Sequence, residues 1–119
     1  MQKTLDKIYK LFTYKEEAND HWHCWADEVE RGIPFTDDCD GFAVTCAELL
    51  KRKGVPNISL IICLTGGKGH LVCGVTDKDT TWILDNNHRI PRDWIGLPYT
   101  WKYKMDLEDP GKWHSISSA

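Results

Sequence analysis

The spacing of apolar positions changes once along the chain, near residue 56, and divides it into a helical first half and a stranded second half. Leu5, Ile8, Tyr9 and Phe12 recur at three and four residues, which predicts a short amphipathic helix over residues 3–12. Residues 15–30, rich in Glu, Ala and Trp, carry Trp22, Trp25, Ala26 and Val29 at helical spacing and predict a second helix. Arg31-Gly32-Ile33-Pro34 ends it, with Gly32 as the cap. The third helix has the fullest set of signals. Thr36-Asp37-Asp38 offers acceptors for the unpaired N–H groups of a helix start, and acids there suit the helix dipole. Phe42, Ala43, Cys46, Leu49 and Leu50 then form one apolar stripe. Lys51-Arg52-Lys53 puts cations in the last turn, and Gly54 and Pro56 stop it.

Beyond Pro56 the apolar residues run together. Residues 58–64 form a nearly continuous, β-branched stretch that predicts a buried strand. A glycine-rich turn at 65–69 leads to a strand from His70 to Val75. A turn at 76–79 leads to a third strand, Thr80 to Asp85. A loop containing Pro91 follows, then an alternating fourth strand from Tyr99 to Tyr103 and a turn at Asp109-Pro110-Gly111. Helices followed by an antiparallel sheet predict an α+β fold.

The 119 residues suit a single domain spanning 1–119, large enough to bury about two-thirds of its unfolded surface and fold without staples. The net charge of −3 argues against a dedicated DNA or RNA binder and leaves protein and peptide partners open. No stretch approaches the ~18 apolar residues of a membrane span, so no membrane association is expected. The first residues lack the apolar core of a signal peptide. Five cysteines, at 24, 39, 46, 63 and 73, fit free thiols in a reducing compartment, and the expected location is cytoplasmic.

The chemistry-bearing residues fall at element ends. Cys39 lies in the first turn of the third helix, where the dipole and unpaired N–H groups stabilise a thiolate. His70 opens the second strand, where a base at a strand edge can reach the start of a helix packed across it. Asp85 closes the third strand. If residues 76–79 are a four-residue hairpin loop, His70 and Asp85 face each other directly. A two-residue loop at Lys78-Asp79 leaves them diagonal on one sheet face. A three-residue loop splits them across the sheet. A carboxylate next to His70 would fix its tautomer and stabilise its imidazolium.

Asp38-Cys39-Asp40-Gly41-Phe42-Ala43, Gly69-His70-Leu71-Val72 and Leu84-Asp85-Asn86 together resemble the bacterial transglutaminase-like cysteine proteinases. The likeness extends over roughly residues 20–116. It implies a papain-like fold with the nucleophile at a helix start packed on an antiparallel sheet. It also implies a Cys39, His70, Asp85 triad that hydrolyses or transfers at a peptide or side-chain amide through a thioester, with a protein or peptide substrate and no cofactor. The oxyanion would be met by the Cys39 backbone N–H and by a side chain of the preceding segment: Asn19, Trp22 or Trp25.

The chain departs from that family in two ways. Acids flanking the nucleophile can bind calcium in the family, but Gly41 stands where an acidic residue is usual. Asp38 and Asp40 alone offer at most a weak site for an ion that takes roughly six to eight oxygens. The chain is also shorter than typical exported members and lacks their signal peptide, which suggests an intracellular or phage-encoded relative. His21 and His23 would lie on opposite faces of a helix, so a zinc site is not expected. Cys46, Cys63 and Cys73 read as packing residues.

Two rival readings remain. Asp-Cys-x-Gly-Phe also resembles peptidoglycan endopeptidases of the NlpC/P60 kind. The same fold could also serve as a non-catalytic binding module.

Overall fold

The structure, a computed structural model, describes residues 1–16 and 22–116. Helix α1 (Gln2–Leu11) forms as its spacing predicts and buries Leu5 and Ile8. It runs straight into a three-residue strand, β1 (Phe12–Tyr14), which pairs in parallel with β2 (Phe35–Asp37). This ribbon is not anticipated, because strands this short carry no readable period.

Of the helix expected over 15–30, the described residues 15, 16 and 22–25 are irregular, and residues 17–21 lie outside the described residues. Among the described residues only α2 (Ala26–Glu30) is helical there. The cause is tertiary. The Trp25 backbone N–H donates to Thr45 Oγ1 of the neighbouring helix at 2.9 Å and its indole to Asp37 Oδ2 at the end of β2 at 2.8 Å, so these donors serve other elements instead. The expected stop holds, with Gly32 at φ 73.

Helix α3 (Cys39–Arg52) starts and ends where its caps predict. Asp38 is the N-cap and accepts the Asp40 N–H at 3.0 Å, and Gly54 leaves the C-terminus at φ 78. Its stripe, including Phe42, Ala43, Cys46 and Leu50, is fully buried.

Six antiparallel strands follow: β3 (Ile58–Thr65), β4 (Lys68–Asp77), β5 (Thr80–Asp85), β6 (His88–Asp93), β7 (Thr100–Asp106) and β8 (His114–Ser115). Their spatial order is β6-β5-β4-β3-β7-β8. Of the two predicted hairpin turns the first is tighter than its 65–69 range, and the second takes the two-residue form at Lys78-Asp79. Gly66 and Gly67, both at positive φ, make the first, as a two-residue hairpin requires. The segment with Pro91 is a strand rather than a loop. As β6 it lies at the sheet edge, where a residue lacking an N–H is tolerated.

The sheet is buried on both faces. Leu60, Leu71, Cys73, Val75 and Leu84 pack with α3, while Ile61, Cys63, Val72 and Ile83 pack with Leu97, Trp94, Tyr99 and Trp101. The apolar run of β3 reflects this double burial.

Candidate active site

The β4–β5 turn decides whether His70 can meet Asp85. The strands pair through Asp77↔Thr80, leaving only Lys78-Asp79 as the turn, and the register continues to Cys73↔Leu84. One step further sets Asp85 opposite Val72. His70 is therefore the diagonal neighbour of Asp85 on the same face, the second of the three loop geometries considered. The side chains close that diagonal: His70 Nε2 lies 2.7 Å from Asp85 Oδ1.

Both groups are buried, with His70 9% and Asp85 1% exposed. Burial alone would push the Asp85 carboxyl up. The His70 hydrogen bond and charge, the Tyr99 hydroxyl and the Asn87 N–H outweigh it and hold the group below the usual carboxylate range. Burial likewise opposes the imidazolium. The Asp85 hydrogen bond, the Cys39 side chain as acceptor and the charges of both raise His70 to about 9. Since Nε2 faces Asp85, Nδ1 is the ring nitrogen left for Cys39. Cys39, at the start of α3, and His70 line the same hollow, with the carboxylate at the end of β5 behind the histidine.

Cys39 is half-buried. Two hollows meet at it. One, of about 590 Å³, is lined by Cys39, His70, Tyr14, Glu16, Trp22 and Ile62. The other, of about 310 Å³, runs past Cys39 and His70 to Thr65, Lys68, Asn86 and Asn87. The thiol therefore sits where a chain lying across both hollows would pass. Burial pushes the Cys63 and Cys73 thiols up to about 12 and fully buried Cys46 well above its usual range, which fits their packing role.

The start of α3 is tied on its inner side. Asp37 Oδ1 accepts the Asp38 N–H at 2.7 Å, and Asp37 Oδ2 accepts the Trp25 indole. The Trp25 N–H is therefore engaged, which removes Trp25 as an oxyanion donor. Asp38 takes the second N–H of the helix and its carbonyl takes that of Phe42. The Cys39 N–H has no protein acceptor among the described residues. Trp22 lines the larger hollow and stands edge-on to Trp113 at 5.9 Å. Asn19 and His21 lie outside the described residues.

The two acids expected beside the thiol have separate surroundings. Asp38 caps the helix, and Asp40 Oδ1 lies 3.6 Å from Cys39 Sγ. Among the described residues no group of three or more His, Cys, Asp or Glu side chains is arranged to hold a metal. His23 packs on Trp25 at 4.2 Å, off any helix, so it is this packing and not helical geometry that sets its direction.

Tyr9, Asn87 and Tyr99 are not anticipated from the sequence, whereas His88 reads there as an alternative base to His70 in a loop after Asp85; the structure sets it at the start of β6. Tyr99, Asn87 and His88 surround Asp85, and Tyr9 donates to its backbone carbonyl at 2.8 Å. Asn87 follows Asp85 closely and a turn there could have suggested it. Tyr9 and Tyr99 reach it across the fold and leave no local signal.

A cysteine at the start of a helix packed on an antiparallel sheet that carries a histidine–aspartate pair defines the papain-like class of cysteine-nucleophile folds. Within that class the chain belongs to the bacterial transglutaminase-like cysteine proteinases, whose family model matches residues 2–119. This decides against the NlpC/P60 kinship. Legionella pneumophila LapG is similar in structure over 89% of this chain and 65% of its own, with a TM-score of 0.68 at 21% identity. Its calcium-bound form is similar over 90% and 66%, with a TM-score of 0.69 at 21% identity. The EGTA-treated form matches over 98% and 68%, with a TM-score of 0.73 at 19% identity. The chain thus spans about two-thirds of the length of these LapG structures. No curated protein matches it in sequence.

Proposed function

We propose that this chain is a cysteine peptidase that opens amide bonds of a protein or peptide substrate through a thioester. The observation that carries this reading is the 2.7 Å contact of His70 with buried Asp85, with Cys39 and His70 lining one hollow. Family membership and the two hollows meeting at the thiol support it.

In the proposed reaction His70 accepts the Cys39 proton, and Asp85 holds the resulting imidazolium. The thiolate attacks the amide carbonyl carbon, and the new oxyanion is met by the Cys39 N–H and the Trp22 indole. The C–N bond then breaks and the amine leaves with the proton from His70. Water, deprotonated by His70, cleaves the thioester to the acid and restores the thiol. An amine in place of water would make the same site a transferase.

Calcium has no part in this proposal. LapG has a calcium-bound form, but here Gly41 supplies no ligand and Asp38 is committed to the helix cap. Both oxygens of Asp37 already accept N–H groups.

The test is the pH dependence of iodoacetamide alkylation, resolved by cysteine, in wild type, Cys39→Ser and His70→Ala. Cys39 should react well below pH ~8.5, the ordinary thiol value, and lose that reactivity with His70→Ala. If Cys39 reacts no faster than exposed Cys24, or His70→Ala changes nothing, the chain is a non-catalytic module on this fold.

A further inference from the structure

Asp85 is held from behind by a chain of hydrogen bonds that the proposed reaction does not use. Its Oδ2, the oxygen turned from His70, accepts the Tyr99 hydroxyl at 2.5 Å. The Tyr99 oxygen lies 3.2 Å from His88 Nε2. Counting protons fixes the directions. A phenol has one proton, and an ionised carboxylate has none to give. Tyr99 therefore donates to Asp85, and His88 donates its Nε2–H to the Tyr99 oxygen. Asp85 Oδ1 meanwhile accepts from both His70 and the Asn87 N–H, the latter at 3.1 Å. The Tyr99 ring also stands edge-on to the His70 ring, with centroids 5.8 Å apart at 83°, and rests on Trp101 at 5.5 Å.

We propose that Tyr99 is a positioning residue of this site, acting through Asp85, and that His88 acts through Tyr99. With Oδ2 pinned by Tyr99, the carboxylate can only present Oδ1 to His70. Without that hydroxyl, a buried oxygen loses its donor, and the carboxylate is free to turn or to take up a proton. Either change weakens its hold on the imidazolium and so on the thiolate opposite. His88 orients the phenol so that its single proton points at Asp85 rather than elsewhere.

This inference rests on the reading of Cys39 and His70 as a reacting pair, and its test separates the two. Tyr99→Phe keeps the ring against His70 and Trp101 and removes only the hydroxyl. Iodoacetamide alkylation of Cys39 should then move to higher pH by about one unit, which is about tenfold slower on the acid side of the profile. His88→Ala should shift it less, in the same direction, and His88→Gln, which retains a side-chain N–H, should restore it. In the Tyr99→Phe background His88→Ala should add nothing, because its route is gone. A Tyr99→Phe profile that superimposes on wild type overturns the inference, even if thermal stability falls. So does a His88→Ala shift that adds in full to Tyr99→Phe. If wild type itself lacks His70-dependent reactivity at low pH, the reacting pair is wrong and this inference falls with it. If wild type has that reactivity and Tyr99→Phe leaves it unmoved, only the role of Tyr99 is lost.

Discussion

Asp37 occupies the space in which a side chain at position 41 would begin: a Cβ on Gly41 would stand 2.0 Å from Asp37 Oδ2 and 2.8 Å from Asp37 Cβ. Gly41 is two residues past Cys39 on the same first turn of α3, so its missing side chain lets the Asp37 carboxylate tuck under that turn. There it joins the turn to Trp25. Glycine within a helix usually costs stability, so its presence here has this close approach as its reason.

Gly41→Ala should therefore destabilise the protein. Alanine recovers about 1 kcal/mol of helix propensity. Overpacking against buried Asp37 costs about 1–3 kcal/mol, and displacing its carboxylate strands two N–H donors at about 1–3 kcal/mol each. The net expected loss is about 2 kcal/mol or more, which is about 8 °C or more in Tm for a chain of this size. Calorimetry on the two proteins checks it, and an unchanged or raised Tm in Gly41→Ala would remove the argument.

Calcium and its chelators should leave this protein unaffected. A site with a Kd of ~10 μM would stabilise the fold by about 2.7 kcal/mol at ~1 mM calcium, a shift of several degrees. Asp37 already accepts two N–H groups and Asp38 caps the helix, so the expected shift is under about 1 °C. Cys39 alkylation should likewise not change with calcium or EGTA. A calcium-dependent rise in Tm, lost with Asp38→Asn, would show that Asp38 can leave its cap to bind the ion.

How much of this was legible in the sequence depends on how local each signal is. The cap of α3, its stripe and its glycine stop are set by residues within a few positions, and they formed as read. The meeting of His70 and Asp85 was legible down to three loop lengths, and the two-residue turn at Lys78-Asp79 selected among them. Residues 22–25 have helical spacing through Trp22, Trp25 and Val29 but are not helical, because Trp25 gives its donors to Asp37 and Thr45. Edge strand β6 was hidden by Pro91, which the period treats as a breaker and an edge tolerates. Tyr99 was invisible for a different reason. Its partner lies across the sheet, and nothing near residue 99 indicates a buried carboxylate.

Stability should fall from near neutral pH upward because of one histidine. The folded-state value of His70 is raised, from 6.5 to about 9, with burial opposing and Asp85 and Cys39 outweighing it. A raised value means that the contribution is fully present below pH 6.5 and is lost as pH climbs through about 9. Asp85 is lowered, so its share holds above the ordinary value of 3.8 and fails only in more acid solution. The buried thiols Cys63 and Cys73, raised from 9.0, act only above that window. Urea midpoints should thus decline from about pH 6.5 to about 9 in wild type and lie flatter in His70→Ala. Equal slopes in the two proteins would mean that His70 does not gain its partners in the folded state.

Trp22 should matter to acyl transfer and not to thiol reactivity. It lines the hollow beside Cys39, and among the described residues no acceptor takes its indole N–H. Trp22→Phe keeps an aromatic ring against Trp113, which lies edge-on at 5.9 Å, and removes the donor. Loss of one oxyanion donor lowers turnover by about 10²–10³-fold. Alkylation by iodoacetamide forms no oxyanion, so the Cys39 alkylation profile should stay where it is. Hydrolysis of an activated ester such as p-nitrophenyl acetate supplies the acyl-transfer readout on the same samples. A loss confined to ester turnover fits the indole as the second donor. Equal losses in both assays would mean that Trp22 shapes the hollow around the thiol, and no loss in either would leave the Cys39 N–H without this partner.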